Sequence, residues 1–169
     1  MNLWLRLTRI WLGAMRRPPL GVRDTSVITL RIWPHDLDLW GHVNGGRYLT
    51  LSDLGRVDLL VRVGFFRLVR RHGWSLPIAA AAVRYRRPLR LFQRCELHTR
   101  LGGWDDHDGY MITDVVRGGK VAATIVIRGV AQDRDGAIIP AQAILDGLGM
   151  AGEAFPPSDE VRALVGSGR

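Results

Sequence analysis

Lysine is almost missing from this chain: Lys120 stands alone among 24 basic residues, and the rest are arginine. Cysteine is equally scarce. With only Cys95 present, no disulfide can form within the chain, a site built from several thiolates is excluded, and a reducing, cytoplasmic compartment is expected. No apolar run approaches the roughly 18 residues that span a bilayer. The apolar N-terminal stretch is broken by Arg6 and Arg9, and no small-residue cleavage pattern follows, so it reads poorly as a signal peptide. Acids are also few, 16 against 24 bases, for a net charge of +8. That balance points to anionic partners such as nucleotides, phosphates or a membrane surface, and says nothing about fold. What remains is ordinary: 169 residues, 47% hydrophobic and 24% charged, suit one globular domain. Disordered, collagen-like and multi-span membrane chains are excluded.

Residues 1–23 form a basic amphipathic segment. They carry Arg6, Arg9, Arg16, Arg17 and Arg23 with no acid, while Leu3, Trp4, Leu7, Ile10 and Trp11 recur at helical spacing. Two arrangements fit this pattern. Residues 1–17 can lie on a membrane surface, on its inner face, as a peripheral contact, or the helix can dock on its own protein.

From residue 26 the period changes. Ser26–Trp33 reads as a strand with Ile28, Leu30 and Ile32 on one face, stopped by Pro34. A turn-rich stretch leads into a helical run from about Arg47 to Arg71, with Gly64 as a break. Strand patterns follow over Leu76–Tyr85, Arg94–Leu101, Tyr110–Arg117 and Lys120–Gln132, with a two-residue hairpin at Gly118-Gly119 and turns at Gly102–Gly109 and 133–136. One strand, one long helix and a run of antiparallel strands is an α+β pattern, not Rossmann-type alternation. Residues 149–169, rich in Pro, Gly and Ser, are expected to be a flexible tail.

The helical run is apolar on nearly every side (Leu49, Leu51, Leu54, Val57, Leu59, Leu60, Val61, Val63), the pattern of an enclosed helix. A sheet and a partner subunit would supply the cover. Asp53 has Leu49, Val57 and Leu60 as its helical neighbours, so its carboxylate projects among apolar groups. Gly55 permits close approach of another backbone.

Ionisable groups concentrate between the first strand and this helix, in Asp36-Leu37-Asp38-Leu39-Trp40-Gly41-His42-Val43-Asn44-Gly45-Gly46-Arg47-Tyr48. Asn44 is a candidate N-cap, and Gly45 and Gly46 would expose backbone N–H groups at the positive helix end. Such an end polarises a carbonyl or holds an anion, with Asp38 or His42 as base or nucleophile. Acyl transfer needs those two elements. The plain alternative is a loop whose aspartates cap turns.

This run, followed by Asp53 in Leu51-Ser52-Asp53-Leu54-Gly55-Arg56, resembles the signature of hotdog-fold acyl-CoA thioesterases of the 4-hydroxybenzoyl-CoA thioesterase type. The stretches from Leu76 to Leu89 and Gly103-Trp104-Asp105-Asp106 are similar to the bacterial branch related to thioesterase superfamily member 6. The resemblance covers about residues 25–148 and implies a hotdog domain over 24–148, an antiparallel sheet wrapped around one long central helix. It further implies active sites at the interface of a homodimer or a dimer of dimers, and acyl-CoA as substrate with no cofactor beyond the coenzyme A it carries. It places the catalytic carboxylate at Asp38, a supporting or alternative one at Asp53, and the carbonyl-polarising element around Gly45 and Gly46. His42, Asn44 and Tyr48 complete the candidate set. In one departure, Gly45 stands where the family commonly has a second Asn.

Arg84, Arg86, Arg87, Arg90 and Arg94 lie in one acid-free stretch. Guanidinium groups bind phosphate bidentately, which makes Arg86, Arg87 and Arg90 candidates for the coenzyme A phosphates, against the alternative of a solvated strand edge. No nucleic-acid motif or stacking pattern accompanies the charge, so nucleic acid is not an expected partner. Asp105, Asp106, His107 and Asp108 read as turn residues, so no metal site is expected there. Cys95 alternates with Leu97 and Thr99 and reads as a packed thiol. Function therefore reads first as a thioesterase, with a non-catalytic acyl-thioester or lipid-binding protein as the alternative. A hotdog hydratase fits less well: that branch places an Asp five residues before its His, whereas Asp36 and Asp38 precede His42 by six and four.

Overall fold

A computed structural model describes residues 3–150 and 155–166. Five strands form one antiparallel sheet in the order β1 (Ser26–Arg31), β3 (Arg94–Trp104), β4 (Asp108–Arg117), β5 (Lys120–Gln132) and β2 (Ile78–Tyr85), and a short β6 (Ile138–Ile139) pairs with β5. Strict alternation in β1 sends Ser26, Ile28 and Leu30 inward and the residues between them out. Gly118 and Gly119 both take positive φ, 55° and 71°, giving the tight β4–β5 hairpin its backbone.

The central helix α2 (Gly45–Arg62) lies across the sheet. Its Leu51 and Leu54 are fully buried against Ile28, Leu30, Leu97, Val115 and Ile125. Gly55 faces β3 so closely that a Cβ would collide with the Thr99 hydroxyl oxygen. At Gly64 (φ 82°) the chain leaves the helix and restarts as α3 (Phe65–His72), the expected break. What remains half-exposed on α2 is a stripe that includes Leu49, Asp53, Arg56 and Leu60.

The N-terminal segment docks on the protein body through one face, and its other face stays exposed. Helix α1 (Leu3–Arg16) turns Leu3, Leu7 and Ile10 onto the core, and Ala14 is buried. Its inner face also carries Arg6, only 3% exposed, which donates to both oxygens of the fully buried Asp36 (3.2 and 2.7 Å) and to the Arg31 carbonyl (3.2 Å). Among the described residues no helix is long and apolar enough to cross a membrane.

Two differences from the sequence reading concern short elements. Gly102–Gly109 is not all turn: β3 runs through Trp104, with a register irregularity near Gly103, and the turn narrows to 105–107. In the stretch expected to be a flexible tail, residues 159–165 form α5, whose Val161 and Val165 pack with Tyr110 and Val126. Residues 151–154 and 167–169 lie outside the described residues. A further helix, α4 (Ala141–Gly147), carries too little periodic pattern to be read from sequence.

Candidate functional site

The segment between β1 and α2 is built by short-range hydrogen bonds. A single 3-10 turn, Pro34–Asp36, brings Asp36 back to accept from Trp33 N–H (2.9 Å). Burial alone would raise the Asp36 pKa. Hydrogen bonds from Arg6, the Trp33 amide and Arg47 outweigh burial and hold its carboxyl below the ordinary value. Asp36 is thus the anchor that ties α1, the loop and α2 together, with Arg47 Nε at 2.9 Å.

Leu37 and Val43 then pair across a tight turn closed by Gly41 (φ 74°). Asp38 N–H donates to the His42 carbonyl (2.8 Å), while Asp38 Oδ1 accepts from the amides of Trp40 (2.9 Å) and His42 (3.2 Å). One carboxylate oxygen of Asp38 therefore caps the turn. Its Oδ2 makes no hydrogen bond among the described residues.

Asn44 caps α2: its Oδ1 accepts from Gly46 N–H (2.9 Å). This corrects one expectation. Gly46 was expected to offer its amide to a ligand together with Gly45, but that N–H already has an acceptor. The Gly45 amide has none among the described residues, and it sits at the positive end of an 18-residue helix. Tyr85 at the end of β2 fixes this terminus by donating its hydroxyl proton to the Gly45 carbonyl (2.8 Å), and its ring meets Tyr48 edge-on at 5.3 Å.

A cleft of about 340 Å³ opens beside Gly45, lined by His42, Tyr48, Tyr85, Arg86, Arg87 and their neighbours. The structure thus brings together five of the expected residues: His42, Gly45, Tyr48, Arg86 and Arg87. Arg86 donates to the Thr124 hydroxyl (2.7 Å), whereas Arg87 has no side-chain partner among the described residues. Arg90 does not line the cleft. It pairs with His42 through backbone only, and its side chain is exposed. Asp38 does not line the cleft either; it adjoins the cleft wall through the hydrogen bond that its Oδ1 accepts from His42 N–H.

Asp53 is elsewhere. It stands eight residues into α2 from Gly45, about 12 Å along the axis at 1.5 Å per residue. Burial raises its carboxyl above the ordinary range, opposed by Arg56 at 2.8 Å. Within one chain Asp53 and Gly45 do not share a site.

Two residues escaped the sequence reading. Tyr85 had no signal beyond its place at the end of an alternating strand. Asp36 drew attention only as the other half of Asp-x-Asp, because its partner Arg6 lies thirty residues away. Asp105, in the turn read as structural, accepts from the Asp108 amide (3.1 Å) and the Tyr110 hydroxyl (2.8 Å). Cys95 is buried, and burial pushes its thiol up to about 12, so it is no nucleophile near neutral pH.

The frame around this cleft is shared with known proteins. The probable thioesterase YbaW of Escherichia coli superposes with a TM-score of 0.68 at 21% identity, covering 73% of this chain and 96% of that one. Slr0204, a 1,4-dihydroxy-2-naphthoyl-CoA thioesterase from Synechocystis, does so with a TM-score of 0.64 at 12% identity, over 74% and 95%. In sequence, Protein THEM6 of Xenopus laevis is 41% identical over 80 residues, 47% of this chain and 39% of that protein. The chain spans less than half the length of that relative. The thioesterase-like superfamily model matches residues 32–164, from the end of β1 through α5. A helix held across an antiparallel sheet is therefore a shared frame: the fold is the hotdog fold, and the chain belongs to the thioesterase-like superfamily.

Proposed function

We propose that this chain hydrolyses acyl-CoA thioesters to the free acid and coenzyme A, at the N-terminus of α2. The observation that carries the reading is the unengaged Gly45 amide at the positive helix end, beside a cleft whose wall is hydrogen-bonded to a carboxylate. The thioester carbonyl oxygen accepts from Gly45 N–H, and the helix dipole stabilises the negative charge that develops there. Asp38, with Oδ1 fixed by two amides and Oδ2 unengaged, is the base that takes a proton from water, or the nucleophile that attacks directly. Collapse of the tetrahedral intermediate expels the coenzyme A thiolate, which is then protonated; on the nucleophilic route a water then hydrolyses the mixed anhydride left on Asp38, which releases the acid and restores the carboxylate. Arg87 and Arg86 at the rim suit the coenzyme A phosphates.

The active assembly is a homodimer or a dimer of dimers. Strand β2 ends the sheet with an open edge, and the half-exposed stripe around Asp53 leaves apolar surface uncovered. A second copy over that stripe also gives Asp53 its only route into a site that contains a Gly45 amide.

One observation favours a second reading, a non-catalytic acyl-thioester-binding protein: Asp38 Oδ1 is already committed to turn capping. Thiol release across short, long and aromatic acyl-CoAs, for wild type and Asp38→Asn in parallel, separates the two. Asn retains an Oδ1 that accepts both amides, so the turn survives while the base is lost. Hydrolysis by wild type, falling on the order of 10²–10⁴-fold in the variant, supports catalysis by Asp38. No hydrolysis of any substrate leaves the binding reading.

A further inference from the structure

Docking α1 through its inner face leaves its outer face unexplained. Trp4, Leu5, Leu12 and Met15 are 71%, 62%, 42% and 57% exposed. At 100° per residue these four fall within about a 100° arc of the helix. Arg9 and Arg16 border that arc, both exposed and neither ion-paired among the described residues. None of the four apolar side chains is needed to hold the helix, because Arg6, Leu3, Leu7, Ile10 and Ala14 do so from the opposite side.

The outer face continues into a cationic groove. Trp11 meets Phe66 of α3 edge-on at 4.5 Å, which sets α3 beside α1. Between them opens a groove of about 1130 Å³ whose lining includes five arginines and no acid. Two of the five, Arg17 and Arg62, are held by the buried Asp58 at 3.3 Å each. The other three, Arg67, Arg70 and Arg71, are exposed and make no ion pair among the described residues. Val61, Val69 and Phe66 give the same groove an apolar floor.

We propose that the outer face of α1 and the arginines of α3 form a docking surface for an anionic lipid bilayer, which takes Trp4, Leu5, Leu12 and Met15 into its headgroup region. An acidic protein would answer the arginines but not the protruding aliphatics. A lipid surface answers both, and tryptophan is favoured at such interfaces. Among the described residues α1, at 14 residues, is too short to cross a bilayer and suits an interfacial placement. The inference rests on α1 and α3 alone and is independent of the catalytic reading.

The test is co-sedimentation of the full chain with phosphatidylcholine vesicles, with and without phosphatidylglycerol. Deleting α1 is a poor variant because it strips Asp36 of Arg6; substitutions confined to exposed positions avoid that. Trp4→Ser combined with Leu5→Ser removes the apolar part. Arg67→Gln, Arg70→Gln and Arg71→Gln together remove the charge. Each arginine near an anionic surface contributes roughly fivefold in partitioning, so the triple variant should bind on the order of 100-fold more weakly. Wild-type binding should need phosphatidylglycerol and weaken with salt. Unchanged thermal midpoints show that both variants are folded. Wild type failing to bind, binding equally without phosphatidylglycerol, or matched by either variant would each overturn the proposal. So would a fall in molecular mass of Trp4→Ser/Leu5→Ser in the absence of vesicles, which would assign the face to a second copy.

Discussion

Replacing Arg6 by alanine should unfasten α1 from the domain. Three hydrogen bonds disappear, two to Asp36 and one to the Arg31 carbonyl, and Asp36 stays buried with Arg47, the Trp33 amide and, at 3.5 Å, His35 Nε2 beside it. Removing one member of a buried ion pair costs about 3–5 kcal/mol because the other charge is left uncompensated. Since Arg47 remains at 2.9 Å, the lower end applies. For a chain of this length about 3 kcal/mol corresponds to roughly 6–12 °C in Tm. Arg6→Lys, which keeps the charge but not the fork, should fall between. The pH dependence carries an independent sign. Asp36 is held below its ordinary value of 3.8, so its contribution is present above that value and is lost as pH falls through the folded one. Thermal unfolding followed by circular dichroism should therefore show wild type losing stability below roughly pH 4 more steeply than Arg6→Ala. A Tm loss of under about 2 °C in Arg6→Ala at neutral pH, or parallel pH curves, would refute the assigned role.

Asp53→Asn should reduce acyl-CoA turnover less than Asp38→Asn if Asp53 only supports, and equally if the two carboxylates act together; measuring both kcat values on one substrate decides. Gly55→Ala should destabilise the fold by about 1–3 kcal/mol in urea titrations, because its Cβ meets the Thr99 hydroxyl. Light scattering at micromolar concentration should give at least twice the 18.9 kDa chain mass, and a stable monomer with full activity would refute the assembly.

Much of this molecule is legible in its sequence where side-chain period meets a single buried face. Ile28, Leu30 and Ile32 announce β1, and the paired glycines at 118 and 119 announce the β4–β5 turn. Gly64 marks the end of α2. The resemblance carried by Asp36–Tyr48 located the helix N-terminus that the structure places beside a cleft. What escaped depends on partners distant in sequence. The docking of α1 turns on Arg6 meeting Asp36, and no periodicity encodes an ion pair across thirty residues. The amides of Gly45 and Gly46 look equivalent until Asn44 Oδ1 takes one of them. The short helices α4 and α5, seven residues each, hold too few turns for a pattern. Arg90 looked equivalent to Arg86 and Arg87, but it stands beyond the last residues of the cleft wall.

The most direct test of the helix N-terminus as the reacting centre is kcat of Gly45→Pro against Gly45→Ala. Gly45 is the first residue of α2, where proline is well tolerated, and Asn44 at ψ 138° already has the conformation that precedes proline. Both variants add a Cβ about 3.1 Å from the Tyr85 hydroxyl, so that perturbation is common to the two. Only Gly45→Pro deletes the amide proton. If that amide stabilises the oxyanion, Gly45→Pro should hydrolyse acyl-CoA on the order of 10²–10³-fold more slowly than Gly45→Ala. Equal rates in the two folded variants would contradict the account.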